Sequence, residues 1–270
     1  MQKKKRLTPY LFDVILSMKE TRDEIDRYCV NFLRNVSRYS IFMHSVLQDT
    51  PKDKDFLLVP VSQYIVSLVG CLETFLRDTF VFLLNNQPKF YMTICTFTQS
   101  ELSEHPDDDV ADGVTHAEFI SQMFNFQNLK DIESAFSPLC DGGEFISAIS
   151  EFQLKCVVAR VDRFTIFSLD QFFSVRSTLN DILKYRHRII HDANYRPTDV
   201  LTTIPTIESL MVFLPQMITF WIHRRSETPY MSRNDDESDL SAEGQSTQST
   251  SLPYLFTVSD LIADDWIPVE

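Results

Sequence analysis

The fold predicted by this 270-residue sequence is all-α: an antiparallel bundle of four to five main helices interrupted by an irregular helical insert. Three observations carry that prediction. Hydrophobic residues make up 44% of the chain and Phe alone contributes 22, enough apolar side chain for a real core and too much for a disordered protein. Gly is scarce at five residues, and the Asp-Gly pairs at 112–113 and 141–142 have no alternating strands beside them, so the usual hairpin signal is missing. Apolar residues also recur at helical spacing over several long stretches.

Thr8 can cap a first helix with Pro9 at its first position, and Leu11, Val14, Ile15 and Met18 follow helical spacing. Ile25, Cys29, Phe32, Leu33 and Val36 continue the stripe as one long helix or two consecutive ones. A loop over 48–55 comes next. Ile65, Leu68, Val69, Leu72, Leu76, Thr79, Phe80 and Leu83 then mark a clear amphipathic helix, ended by Asn85-Asn86-Gln87-Pro88. The uncharged stretch 56–72 contains Pro60, Ser62, Gln63 and Ser67, and reads as a buried helix with its lead-in rather than a membrane span.

Between 89 and 164 the pattern is less regular. It suggests an acidic loop over 101–113, short helices over 117–126 and 129–136, a Gly142-Gly143 turn and a helix from about Glu144. Ser168 or Asp170 can cap a strong helix carrying Phe172, Phe173, Leu179, Ile182, Leu183, Ile189 and Ile190, which Asn194-Tyr195-Arg196-Pro197 stops. A last helix runs from about 207 to 225, with Leu210, Met211, Leu214, Ile218 and Trp221 inward and Pro215 as a kink. Residues 1–225 therefore form the helical domain. Residues 226–252 are too polar to bury a core and read as a disordered acidic linker. Residues 253–270 turn apolar again and read as a short docking motif, with Tyr254, Leu255, Phe256, Leu261, Ile262 and Trp266 as its anchors.

The five cysteines are scattered and odd in number, without a Cys-x-x-Cys pair, which argues against a disulfide framework or a zinc clip. The basic opening is followed by an apolar stretch that Asp13 interrupts, so no secretory leader is expected and a cytoplasmic setting is. The net charge of −13 looks hostile to nucleic acid. Its distribution is not. Residues 226–270 hold ten acidic residues and one basic, and 101–112 hold six more acidic ones, while 153–225 hold ten basic against six acidic.

That basic region contains the most informative run of the chain, Lys184-Tyr185-Arg186-His187-Arg188-Ile189-Ile190-His191-Asp192. Histidine titrates near neutrality and serves as general acid or base, and a planar guanidinium can grip two phosphate oxygens at once. Arg186 and His191 are five apart, which places them about 140° from each other on a regular helix, whereas His187 and His191 share a face. Two copies of the helix facing each other would bring one chain's Arg to the other's His. The spacing itself is common: with fifteen Arg and six His, about one such match arises by chance. Arg38 and His44 form a second match. The plain alternatives are a cluster that only complements the helix dipole, and His187 with His191 as metal ligands, for which no nearby Glu or Cys is at hand. Likewise His105 and His116 beside Asp107-Asp108-Asp109 read as a solvated loop.

Arg186 and His191, four residues between them late in a helical chain, resemble the signature of the HEPN superfamily. Glu73 in Val69-Gly70-Cys71-Leu72-Glu73-Thr74-Phe75-Leu76-Arg77-Asp78, followed four residues later by Arg77, is similar to the bacterial subfamily associated with RNA ligase-like and phosphoesterase systems. The resemblance covers roughly residues 61–225. It implies a HEPN-like bundle acting as a homodimeric, metal-independent endoribonuclease in phage defence, a toxin–antitoxin pair or a similar conflict system. Its catalytic residues would be Arg186, His191 and His187, supported by Glu73, Arg77, Arg188 and Asp192. No cofactor is implied; the partners would be RNA, a second copy, an inhibitory or antitoxin protein, and a docking partner for the tail, with no membrane. The alternative is a catalytically inactive HEPN-type module that dimerises and binds RNA or protein. One departure stands out: the family commonly has Asn or another small polar residue after the motif Arg, where this chain has His187. Separately, the tail pattern from Phe256 to Trp266 resembles the C-terminal signature of small phage-encoded proteins, the anti-Thoeris family among them.

Overall fold

The computed structural model describes residues 25–49, 54–98, 105–106, 109–111, 113–158, 164–192, 194–197, 202–226 and 254–261. The expected first helix from Thr8, the linker over 226–252 and the end of the tail with Ile262 and Trp266 lie outside the described residues, apart from Ser226 at a helix end.

Four long helices make the body. They are α1 (Ile25–Asp49), α2 (Lys54–Asn86), α7 (Val175–His191) and α8 (Ile204–Ser226), with α2 packed against the other three. On α1 the stripe Cys29, Phe32, Leu33, Val36 and Met43 turns inward. α2 begins at Lys54, earlier than its clear stripe. Pro60 sits in its second turn, where its missing N–H costs one helical hydrogen bond, and burial of Val61, Tyr64, Ile65 and Leu68 offsets that cost. By length and composition α2 could cross a membrane, with a mean hydropathy of 1.7 over its most apolar stretch. Val61, Ile65, Leu68, Val69, Leu72, Leu76 and Phe80 line the bundle core, alongside buried Arg77 and Asp78, while Phe56 and Val59 near the start of the helix are exposed. α8 is apolar nearly all round and correspondingly buried, from Ile207 through Ile222, and the helix continues through Pro215.

The insert is more ordered than its sequence pattern. α3 (Pro88–Thr98) starts on Pro88 in the first helical position, directly where α2 stops. A ribbon of β1 (Asp109–Ala111) and β2 (Val114–Thr115) leads into α4 (His116–Ser121), whose capping box joins Thr115 and Glu118 reciprocally. His116 is therefore not a solvated loop residue: it is fully buried, with its Nδ1 2.6 Å from the Tyr91 hydroxyl. Asn128 caps α5 (Leu129–Phe136) through a bond from the Lys130 amide. The Asp141-Gly142 turn takes positive φ at both residues, 49° and 91°, which Gly tolerates without cost. α6 (Phe145–Glu151) follows, capped from a distance by Glu133, whose oxygens accept from the Phe145 and Ile146 amides at 2.6 and 3.4 Å. Much of the Phe content meets here: Phe80 contacts Phe90, Phe124, Phe126 and Phe136 at 5.1–5.8 Å between centroids, and Phe136 stacks on Phe145.

Two features depart from the expected pattern. β3 (Leu154–Val158) and β4 (Phe164–Phe167) form an antiparallel pair, with Leu154, Cys156 and Phe167 inward and Lys155 and Ile166 outward. In addition α7 begins at Val175, after a short 3-10 turn over Leu169–Gln171, so Phe172 is exposed rather than part of the helical stripe.

The tail packs on this same body. β5 (Tyr254–Leu255) adds to β3 as a parallel third strand, and α9 (Val258–Leu261) lies on α1 and α8. Gln216 clasps the backbone of Phe256 from both sides, donating to its carbonyl at 3.0 Å and accepting from its amide at 2.9 Å. Ser37 donates to the Leu261 carbonyl at 2.5 Å, and Leu255 and Leu261 are buried.

Candidate active site

α7 carries the Arg/His run from the core to the surface. Val175, Leu179, Ile182 and Leu183 are buried, while Lys184, His187, Arg188, Ile190, His191 and Asp192 are exposed. Tyr185 and Ile189 keep the last turns against the core. Arg188 and His191 occupy the final turn, where cations suit the helix dipole. Asp192 ends the helix: its amide donates to the Arg188 carbonyl at 2.9 Å, and its own oxygens accept from the amides of Asn194 and Tyr195 at 3.0 Å each. The returning chain sets the Tyr195 ring beneath Arg188, with the guanidinium carbon 3.9 Å from the ring centroid.

The helix is unbroken from Val175 to His191, so the angular reading of the sequence holds along it. His187 and His191 share a face, with ring centroids 4.6 Å apart and planes 48° from parallel. Arg186 faces about 140° away from His191. It is half-buried and forms no ion pair among the described residues. A single chain thus presents two imidazoles together and the Arg186 guanidinium elsewhere.

Glu73 and Arg77 do not form the plain surface pair that their i,i+4 spacing suggests. The Arg77 Nη2 is 2.8 Å from Glu73 Oε1, and their side chains are only 9% and 18% exposed. The other Glu73 oxygen accepts from Gln127 Nε2, and Arg77 lies 5.8 Å from the Phe126 ring centroid. Gln127 also lines a groove that contains His187 and Arg188. Gln127 thus joins the Glu73–Arg77 pair to the wall of that groove, and nothing in the sequence pattern ties it to Glu73 across 54 positions. Sequence reasoning also gave no role to Lys130 or Lys184, which line the same groove.

The second Arg/His match sits in a different setting. His44 Nε2 is 3.0 Å from Glu208 Oε2, and the Tyr64 hydroxyl donates to Glu208 Oε1 at 2.7 Å. Burial, reinforced by the Glu208 carboxylate, pushes the Tyr64 phenol well above its ordinary range, so it keeps its proton. Tyr64 and Glu208 are buried, and the His44 side chain, 37% exposed, reaches them from the surface.

The sequence model of the family described as RiboL-PSP-HEPN matches residues 33–219. The match starts earlier than the resemblance over 61–225, taking in most of α1. It ends before the tail, and nothing supports the likeness of the tail to phage-encoded proteins. No curated protein and no solved structure matches the chain.

Proposed function

We propose, because this chain belongs to the RiboL-PSP-HEPN family and presents an Arg/His pair at the solvent end of α7, that it is a metal-independent endoribonuclease. The 2′-hydroxyl attacks its neighbouring phosphorus while one imidazole takes its proton. The bond from phosphorus to the 5′-oxygen then breaks, and a second group returns a proton to that oxygen. The products are a 2′,3′-cyclic phosphate and a 5′-hydroxyl. Arg186 holds two non-bridging oxygens of the pentacoordinate state, whose added negative charge it neutralises. DNA has no 2′-hydroxyl to attack and resists.

The observation that carries this reading is the placement of His187 and His191 on one exposed face of a helix in a matched family, with Arg186 turned away from them. A two-fold dimer with facing α7 helices supplies the missing guanidinium from the second protomer. Glu73 and Arg77 hold Gln127 at the wall of the groove that His187 and Arg188 line, while Arg188 and Asp192 fix the end of α7. A conflict system, in which another protein restrains the nuclease, fits such an enzyme. The test is incubation of the purified chain with total RNA in EDTA beside its His191→Ala variant. Cleavage to cyclic-phosphate ends by wild type alone supports the reading. Intact RNA in both would leave the inactive binding module as the better account.

A further inference from the structure

A groove of about 660 Å³ runs between α5 and α7 and is lined by His187, with His191 one turn further along the same helical face. Two carboxylates line it, and both are occupied: Arg176 Nη1 bridges Glu133 at 2.8 Å and Glu144 at 2.7 Å, and Glu133 also caps α6. Three further cations remain. Lys130 forms no ion pair among the described residues, Arg188 lies over Tyr195, and Lys184 has only Asp181 at 4.0 Å, with both side chains exposed. Such a pair holds a lysine weakly. Asn180 adds a half-buried amide, with one donor group and one acceptor. Asn180, Lys184, His187 and His191 follow one another at spacings of four, three and four, which is one helical face, and Lys184 to His191 spans about 10 Å of it.

We propose that this groove binds single-stranded RNA beside the scissile phosphate, in the protomer that supplies His191. Lys130, Lys184 and Arg188 hold the phosphates, and Asn180 meets an unstacked base. This assignment rests on the ribonuclease reading and adds a division of labour to it: the strand and the histidine belong to one protomer, and the arginine comes from the other. A single strand suits the site because a groove with an amide among its cations can read splayed bases, which a duplex keeps stacked.

The test uses the full-length His191→Ala chain, which holds RNA without cutting it, and a short fluorescent single-stranded RNA read by anisotropy across a salt series. Adding Lys130→Glu and Lys184→Glu should weaken binding at least about ten-fold and flatten the slope of log affinity against log salt by about 0.7 for each phosphate that is no longer neutralised. Lys130 lies in the first turn of α5, where an acidic residue suits the helix dipole, and Lys184 is exposed, so the fold should persist. Arg34→Glu, in a separate polar groove between α1 and α2, should leave affinity unchanged. The proposal is overturned if the folded double variant binds with parental affinity and slope, or if Arg34→Glu weakens binding equally. It is also overturned if a duplex of the same sequence binds more tightly than the single strand, or if the parent binds no RNA at low salt. Loss of binding on charge reversal, in a protein whose wild type never cuts RNA in EDTA, would keep the groove and remove the ribonuclease reading. Cleavage by wild type with binding insensitive to both lysines would do the reverse.

Discussion

Arg38 with His44 and Arg186 with His191 satisfy the same loose sequence pattern, yet α1 and α7 give the two histidines different neighbours. His44 is tied to the buried Glu208, which Tyr64 also holds, so its imidazole is part of the bundle's internal hydrogen bonding. His191 lies on the last turn of a helix that has left the core, with another imidazole 4.6 Å away and solvent around it. A general acid or base must reach its substrate: the His44 side chain is 37% exposed but its Nε2 is engaged by Glu208, whereas His191 is exposed beside His187. Spacing nominates such residues; the fate of the helix decides between them.

The largest expected difference is in rate. Arg186→Ala and His191→Ala should each lower RNA cleavage by at least about 10²-fold, the scale of a general acid–base group or an oxyanion donor. His44→Ala should leave the rate per folded molecule unchanged. Activity lost on His44→Ala alone, in protein of native circular dichroism, would reverse the comparison.

Stability should sort the two sites the other way. Glu208→Ala removes the acceptor shared by His44 and Tyr64 and should cost about 3 kcal/mol by urea unfolding. His191→Ala should change stability by less than about 0.5 kcal/mol. Glu73→Ala removes the carboxylate 2.8 Å from the buried Arg77 and the acceptor of Gln127, and should cost about 2 kcal/mol. It should slow cleavage less than His191→Ala does.

The tail sharpens the contrast between the packed body and the exposed end of α7. Gln216→Ala removes two hydrogen bonds to Phe256 and should cost about 2 kcal/mol. Because the tail rests on α1, α8 and β3, cleavage at the end of α7 should persist in the folded fraction.

The smallest effect is alkaline. Burial pushes the thiols of Cys71, Cys140 and Cys156 up to about 11. In the unfolded chain they ionise near 8.5. Their contribution is fully present below that value and lost as pH rises through 11, so the urea midpoint should fall across that window.

The helical body was legible because its signals are local. The apolar stripe from Ile65 to Leu83 marks α2, and Asn85-Asn86-Gln87-Pro88 marks its end. The β3/β4 pair escaped because 159–163, Ala-Arg-Val-Asp-Arg, holds no Gly or Asn to announce a turn. The parallel strand at 254–255 escaped because its partner lies nearly a hundred residues earlier. At the site, the shared face of His187 and His191 follows from their spacing. The link from Arg77 through Glu73 to Gln127 does not, because a tertiary contact between a helix and a loop leaves no period in the sequence.

The composite site is tested most directly by mixing. Arg186→Ala and His191→Ala chains, each inactive alone, are unfolded together, refolded and assayed on RNA in EDTA. If one protomer's Arg serves the other's His, mixed dimers regain one intact site each, and activity returns to a substantial fraction of wild type. A mixture as inactive as its components, with mixed dimers shown by native mass spectrometry, would contradict the account.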